Sequence, residues 1–88
     1  MLFGKFKNIE KVWDNIFKHE GEAFYTITNI EYNYVVKDSY ILINNDPRRK
    51  ISKSNLEKAL KIENPTLSKI NMRGQSYIYG IIIDSRIV

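Results

Sequence analysis

Ile9, Val12, Trp13, Ile16 and Phe17 recur at i, i+3, i+4, i+7 and i+8, one apolar stripe at the helical period. The intervening positions carry Glu10, Lys11, Asp14, Asn15 and Lys18, with Asp14 and Lys18 in the favourable i,i+4 order. Asn8 is placed to cap the start and Gly21 to supply a left-handed stop. The pattern predicts a helix over about residues 8–20, with Trp13 in the core.

The period then shortens. Residues 22–28, 31–37 and 39–44 are rich in aromatic and β-branched side chains and are separated by short breaks at Asn29-Ile30 and Lys37-Asp38. They predict a three-stranded antiparallel meander covered by the helix stripe. Alternation groups Ala23, Tyr25 and Ile27 on one face, and Tyr32, Tyr34 and Val36 on one face of the next strand. Asn44-Asn45-Asp46-Pro47 ends the sheet, since Asn and Asp favour turns and Pro47 has no N–H to donate. A basic loop follows. Either Ser54-Asn-Leu-Glu57 forms a capping box, or Ser52 caps and Ile51 staples onto Leu56. Both choices predict a short helix ending near Ile62, with Leu56, Ala59 and Leu60 inward; Pro65 blocks its extension, and residues 63–75 connect it to the last segment.

The segment from Gln75 to Val88 supports two readings from its residues alone. Its Tyr and Ile content favours a strand, and Gly80 weakens a helix by about 1 kcal/mol relative to Ala. Its period permits a helix from Ser76 to about Asp84, capped by Ser76, with Ile78, Ile81 and Ile82 inward. In such a helix Gly80→Ala is stabilising, provided a methyl group has room.

The runs Glu20-Gly-Glu-Ala-Phe-Tyr-Thr26, Tyr32-Asn-Tyr-Val-Val36, Ile51-Ser-Lys-Ser-Asn-Leu-Glu-Lys-Ala-Leu60 and Gly74-Gln-Ser-Tyr-Ile-Tyr-Gly-Ile-Ile-Ile-Asp-Ser-Arg-Ile87 resemble a widespread family of small, uncharacterised bacterial domains. The resemblance spans nearly the whole chain and brings no established activity. Relatives of this kind often carry Pro at the position of Gln75 and Ala at that of Gly80, which implies a helix. More loosely, the final run is similar to the helix in the DNA-binding tails of serine recombinases. The expected fold is therefore a single small α+β domain over residues 1–88: helix, three-stranded antiparallel meander, then two helices.

Eighty-eight residues suffice for one modest core, burying roughly 60 to 65% of the unfolded surface. With no cysteine there are no disulfides or thiolate metal sites, which fits a reducing cytoplasm. Met1-Leu-Phe-Gly-Lys-Phe-Lys7 lacks the form of a signal peptide, and no run approaches the roughly 20 apolar residues of a membrane span, so no membrane association is expected. Heavy use of Ile, Lys, Asn and Tyr, whose codons are AT-rich, suggests a low-GC genome.

Charge changes the functional picture. From Arg48 onward nine basic residues face three acidic ones, a net of +6, whereas residues 1–47 carry five basic and seven acidic, a net of −2. Such asymmetry attracts polyanions. Arg48, Arg49, Lys50, Ser52 and Lys53 combine cations, a hydroxyl and a helix N-terminus, the ingredients of a phosphate clamp. Lys58, Lys61, Lys69 and Arg73 are secondary contacts, and Gln75 and Ser76, with Tyr77 and Tyr79, lie where a groove-reading helix would begin. The competing readings are a solvated basic turn and a connector too long for a helix-turn-helix. Tyr25, Tyr32, Tyr34 and Tyr40 are either stacking platforms or core.

His19 is the only histidine, Glu20, Glu22 and Glu31 have no evident partners, and no nucleophile elbow or phosphate loop is present. The expected function is non-catalytic nucleic-acid binding without cofactor or metal, DNA ahead of RNA, in a small bacterial or mobile-element protein. The rival is a protein-interaction or inhibitor module whose basic half docks on an acidic partner, or a homodimer formed through Ile81–Val88.

Overall fold

Asn8 opens the first helix as its polarity suggests, its side chain accepting a hydrogen bond from the Glu10 N–H at 2.8 Å. In this computed structural model, which describes residues 8–88, helix α1 spans Ile9–Lys18. The absence of a signal sequence, expected from Met1–Lys7, lies outside the described residues. Gly21, at φ +85°, turns the chain back and donates its N–H to the Tyr34 carbonyl at 3.2 Å.

The expected meander is present in altered form, as two antiparallel sheets. Strands β1 (Phe24–Tyr25) and β2 (Glu31–Tyr32) make a two-stranded ribbon, while β3 (Tyr34–Val36), β4 (Tyr40–Ile43) and β5 (Lys50–Ser52) make a three-stranded sheet with β4 central. Asn33 divides β2 from β3. Its N–H donates to Asn44 Oδ1 at 3.1 Å and its carbonyl accepts from Asn44 N–H at 2.8 Å, so this residue pairs with a turn and not with the ribbon. The third strand of the larger sheet comes from the segment read as a basic loop: Ile51 pairs with Ile41 and is buried, which gives the backbone there a ladder partner. Along β1 and the residue after it Phe24 and Thr26 are buried, and Ala23, Tyr25 and Ile27, grouped on one face as the alternation predicts, are exposed.

Helix α2 (Lys53–Leu60) is capped by Ser52, whose hydroxyl accepts from the Asn55 N–H at 3.1 Å, deciding between the two candidate caps. The last segment is helical: α3 spans Gln75–Ile82, starting from Gly74 at φ +80°, which places Ser76 inside the first turn and not at the cap. Helix α2 packs against α1, α3 and β5, and α3 packs against β1.

The core joins Val12 and Ile16 of α1, Phe24, Tyr32 and Tyr34, the three consecutive buried residues Ile41, Leu42 and Ile43, Leu56 and Leu60 of α2, and Ile78, Ile81 and Ile82 of α3. Buried Ile87 closes it. Ile81, Ile82 and Ile87 of the apolar C-terminal run are thus buried within the chain, whereas Ile83 is 38% exposed. Tyr34 donates its hydroxyl to the Ile16 carbonyl at 2.6 Å, and Tyr32 donates to the Tyr77 carbonyl at 2.9 Å. Burial raises both phenol pKa values well above the ordinary range, so both act as neutral donors.

Phe17 is 61% exposed and Trp13 is only partly buried, a correction to the expected stripe. The reason is an open groove of about 760 Å³ between α1 and the β3–β4 hairpin, with Trp13 and Phe17 on one wall and Val36 and Tyr40 on the other. Trp13→Ala is accordingly expected to lower stability by about 1 to 2 kcal/mol, less than a fully enclosed aromatic would cost. Chemical denaturation of the two proteins measures the difference.

Candidate functional site

The β4–β5 connection brings the first basic cluster into position. Asn44 and Asn45 both adopt left-handed backbone (φ +54° and +55°), a conformation Asn tolerates better than most residues. The Ile43 N–H donates to the Arg49 carbonyl at 3.0 Å, closing the loop so that residues 46–49 stand beside the start of α3. Asp46 organises them. Its Oδ1 accepts from the Arg48 N–H at 2.9 Å and from Arg48 Nε at 3.2 Å, and Arg49 Nε lies 3.6 Å from its Oδ2. Hydrogen bonds from the Arg48 side chain and backbone hold the Asp46 carboxyl below the usual range, so it is ionised at neutral pH.

The 63–75 connector returns Arg73 to the same place. Arg48, Arg49, Lys50 and Arg73 line one concavity of about 330 Å³ with Asp46, Ile43, Ile51, Gly74 and Tyr77. Four cations face one carboxylate. Arg49 donates to the Tyr77 hydroxyl at 3.0 Å, with its guanidinium 5.9 Å from the ring centroid, and Lys50 rests its ammonium 4.4 Å from the Tyr40 ring. Gly74 suits this position through its positive φ, and a Cβ there would stand 3.3 Å from Ile51 Cδ1, a tight contact with the end of a side chain. A second concavity of about 340 Å³ shares Arg49, Gly74 and Tyr77 with the first and is completed by Thr26, Thr28, Ile30, Gln75 and Ser76.

Other residues of the basic half are engaged elsewhere. Ser52 caps α2. Lys53 places its ammonium 3.5 Å from Glu10 Oε2 and 5.6 Å from the Trp13 ring, on the α1 side of the molecule. Lys69 donates to the Glu63 and Asn64 carbonyls at 3.2 and 3.1 Å. Gln75 donates through Nε2 to the Leu67 and Ile70 carbonyls, fixing the connector. Lys58 and Lys61 are exposed on and just after α2 and line neither concavity. Arg86 lies in a separate ion network with Asp84 and Glu22.

Helix α3 has no exposed residue: Ile78, Gly80, Ile81 and Ile82 are buried, and Gln75, Ser76, Tyr77 and Tyr79 are half-buried. It therefore presents no fully exposed face of the kind that a helix laid in a major groove uses, and Gln75, Ser76 and Tyr77 instead line a concavity. Among the expected stacking tyrosines, Tyr32 and Tyr34 are core, Tyr40 is half-buried beneath Lys50, and Tyr25 is half exposed. His19 pairs with Glu22 at 2.9 Å, and Glu20 accepts from the Val36 N–H at 2.8 Å, so these carboxylates have separate partners. Among the described residues no group of three His, Asp or Glu side chains is arranged to hold a metal, and no helix is long and apolar enough to cross a membrane.

Sequence reasoning missed Asp46 as the organiser of the arginines and the Thr26–Ile30 turn as a wall of the site. The Asp46-Pro-Arg48 spacing, suited to a side-chain-to-backbone turn bond, was the available signal for the first. Nothing local signals the second. No protein-family model matches this chain, and no curated protein or solved structure matches it either.

Proposed function

We propose that this protein is a non-catalytic nucleic-acid-binding domain of a bacterial or mobile-element system, acting in the cytoplasm, with DNA as the first ligand to consider ahead of RNA. The observation that supports this reading is the convergence of Arg48, Arg49, Lys50 and Arg73, from two distant segments, on one concavity that holds a single carboxylate. Cations brought together at mutual electrostatic cost stabilise a bound anion, and the fork of an arginine suits a phosphate. The clamp is centred on the three arginines and Lys50, which line this concavity; Lys53 and Lys69 do not line it and drop from the proposed contacts.

The test is fluorescence anisotropy with labelled oligonucleotides across a salt series. Removing one cation from a phosphate should reduce the slope of log affinity against log salt by about 0.9 for duplex or 0.7 for a single strand. Arg48→Ala, Arg49→Ala and Arg73→Ala combined are expected to flatten the slope by about two to three times that amount and weaken binding several-fold, with an unchanged circular dichroism spectrum. Unaltered affinity in the folded variant rejects the clamp. A protein-docking reading has one observation in its favour, the exposure of Phe17 and Ile27 at 61% and 59%. Tight binding to an acidic protein with no oligonucleotide binding would select it.

A further inference from the structure

The two concavities adjoin, Arg49, Gly74 and Tyr77 belonging to the walls of both, and side by side they offer a groove. Their chemistry differs along its length. One end is cationic. The other carries hydroxyls, an amide, the apolar side chain of Ile30 and the Tyr77 ring, with Arg49 its only charged group among the described residues. We propose that the groove takes a single-stranded nucleic acid, a phosphate resting on Arg48, Arg49 and Arg73 and an adjoining unpaired base entering the Thr26–Ile30 end. This inference rests on the phosphate reading above and names the form of the ligand.

Shape supports the unpaired form. A duplex is read by a protruding element that enters its groove, and here the cations line a hollow while α3 has no exposed face. Hollows of about 330 and 340 Å³ fall at the small end of ligand sites, which suits a nucleotide unit and not a double helix.

Polar capacity supports a base. Among the described residues, neither the Ser76 hydroxyl nor Gln75 Oε1 takes a hydrogen bond, since Gln75 is anchored through its Nε2. The Tyr77 hydroxyl accepts from Arg49 and keeps its own hydrogen to donate. Thr26 Oγ1 is occupied by the Ile30 N–H and by Thr28 Oγ1, both at 3.1 Å, which rigidifies the turn and leaves Thr28 at the groove. Ile30, 61% exposed, and the Tyr77 ring supply apolar surface for a base face. A hydrogen-bonding edge and an apolar face are together the requirements of an unstacked base.

The experiment compares the intact chain with its Thr28→Ala/Ile30→Ala variant, using labelled single-stranded DNA, the same sequence in RNA, and blunt duplex DNA, at about 50 mM salt and across a salt series. Both substitutions are at exposed turn positions, so the fold is preserved, and circular dichroism checks it. The wild type is expected to bind single strands roughly tenfold more tightly than duplex, and the variant to lose most of that preference while keeping the salt slope of wild type. Comparison of the DNA and RNA strands identifies the sugar. Equal affinity for duplex and single strands, or a variant that binds single strands as well as wild type, overturns the inference and leaves the phosphate clamp intact. Absence of salt-dependent binding to any of the three removes both.

Discussion

Gly80→Ala is expected to destabilise the protein by about 2 to 3 kcal/mol, the reverse of its effect in an open helix, where the added methyl group stabilises by up to about 1 kcal/mol. Gly80 lies in the middle of α3, and a Cβ placed on it would stand 2.6 Å from the Tyr32 hydroxyl and 2.7 Å from the Tyr25 carbonyl oxygen. Neither atom is free to retreat. The hydroxyl is held at 2.9 Å by the Tyr77 carbonyl, and the carbonyl belongs to β1, which is paired with β2. The methyl group must therefore push α3 off the ribbon, loosening Ile78, Ile81 and Ile82 together. For a domain of this size the shift corresponds to a fall of about 10 to 20 °C in the melting temperature, measured by a thermal scan of the two proteins. A melt equal to or above wild type would mean that α3 and β1 do not approach so closely.

Gly80 also marks how far local pattern carries. The i, i+3, i+4 spacing of Ile78, Ile81 and Ile82 permitted a helix against opposing propensity and the family resemblance decided for it; the segment is helical and all three are buried. That a glycine is needed there was not legible, because its reason lies in Tyr25 and Tyr32, some fifty residues away. The ends of α1 were legible for the opposite reason: the Asn8 cap and the Gly21 reversal are local devices. The sheet divides along the same line. Strand-forming composition located the region of β1 to β4 but overestimated the strand lengths, and the break at Asn33 depends on its pairing with Asn44, as the recruitment of Lys50–Ser52 depends on a ladder with β4. Alternation grouped Ala23, Tyr25 and Ile27 on one face, but that this face is the outer one follows from the packing of Phe24 and Thr26 inward and not from the local pattern.

The candidate site follows that rule. Charge asymmetry pointed to Arg48, Arg49, Lys50 and Arg73 one by one, but it also pointed to Lys53, Lys69 and Arg86, which the fold uses to hold Glu10, the connector carbonyls and Asp84. Which cations converge is a property of the closed loop at Ile43–Arg49 and of the returning connector, both non-local. A sequence counts charges; only the path of the chain separates those that neutralise from those that accumulate.

Arg86 is the clearest of the neutralised cations, and Arg86→Ala is expected to lower stability at pH 7 by about 2 to 3 kcal/mol. Its guanidinium donates to Asp84 at 2.8 and 2.9 Å, to Glu22 at 3.1 Å and to the Ala23 carbonyl at 3.1 Å, and it lies 4.0 Å over the Phe24 ring. One side chain thereby ties the C-terminal turn to the entry of β1. Removing it leaves Asp84 half-buried without its counter-ion and uncovers part of Phe24; partial exposure of the network keeps the loss below that of a fully enclosed pair. The same contact sets the acid limb. Burial alone would raise the Asp84 pKa, but hydrogen bonds from the Arg86 side chain and backbone, with its charge, bring it below the ordinary value. A depressed folded pKa means that this contribution is complete above the unfolded carboxylate value, near 4, and is lost as pH falls through the folded value. Wild type should therefore lose stability as pH falls below about 4, and Arg86→Ala, which keeps the backbone hydrogen bond to Asp84 but not the side-chain interaction, should show a shallower acid dependence over that window. Urea denaturation from pH 7 down to about pH 3 measures both curves, and parallel curves would show that Arg86 does not control the ionisation of Asp84.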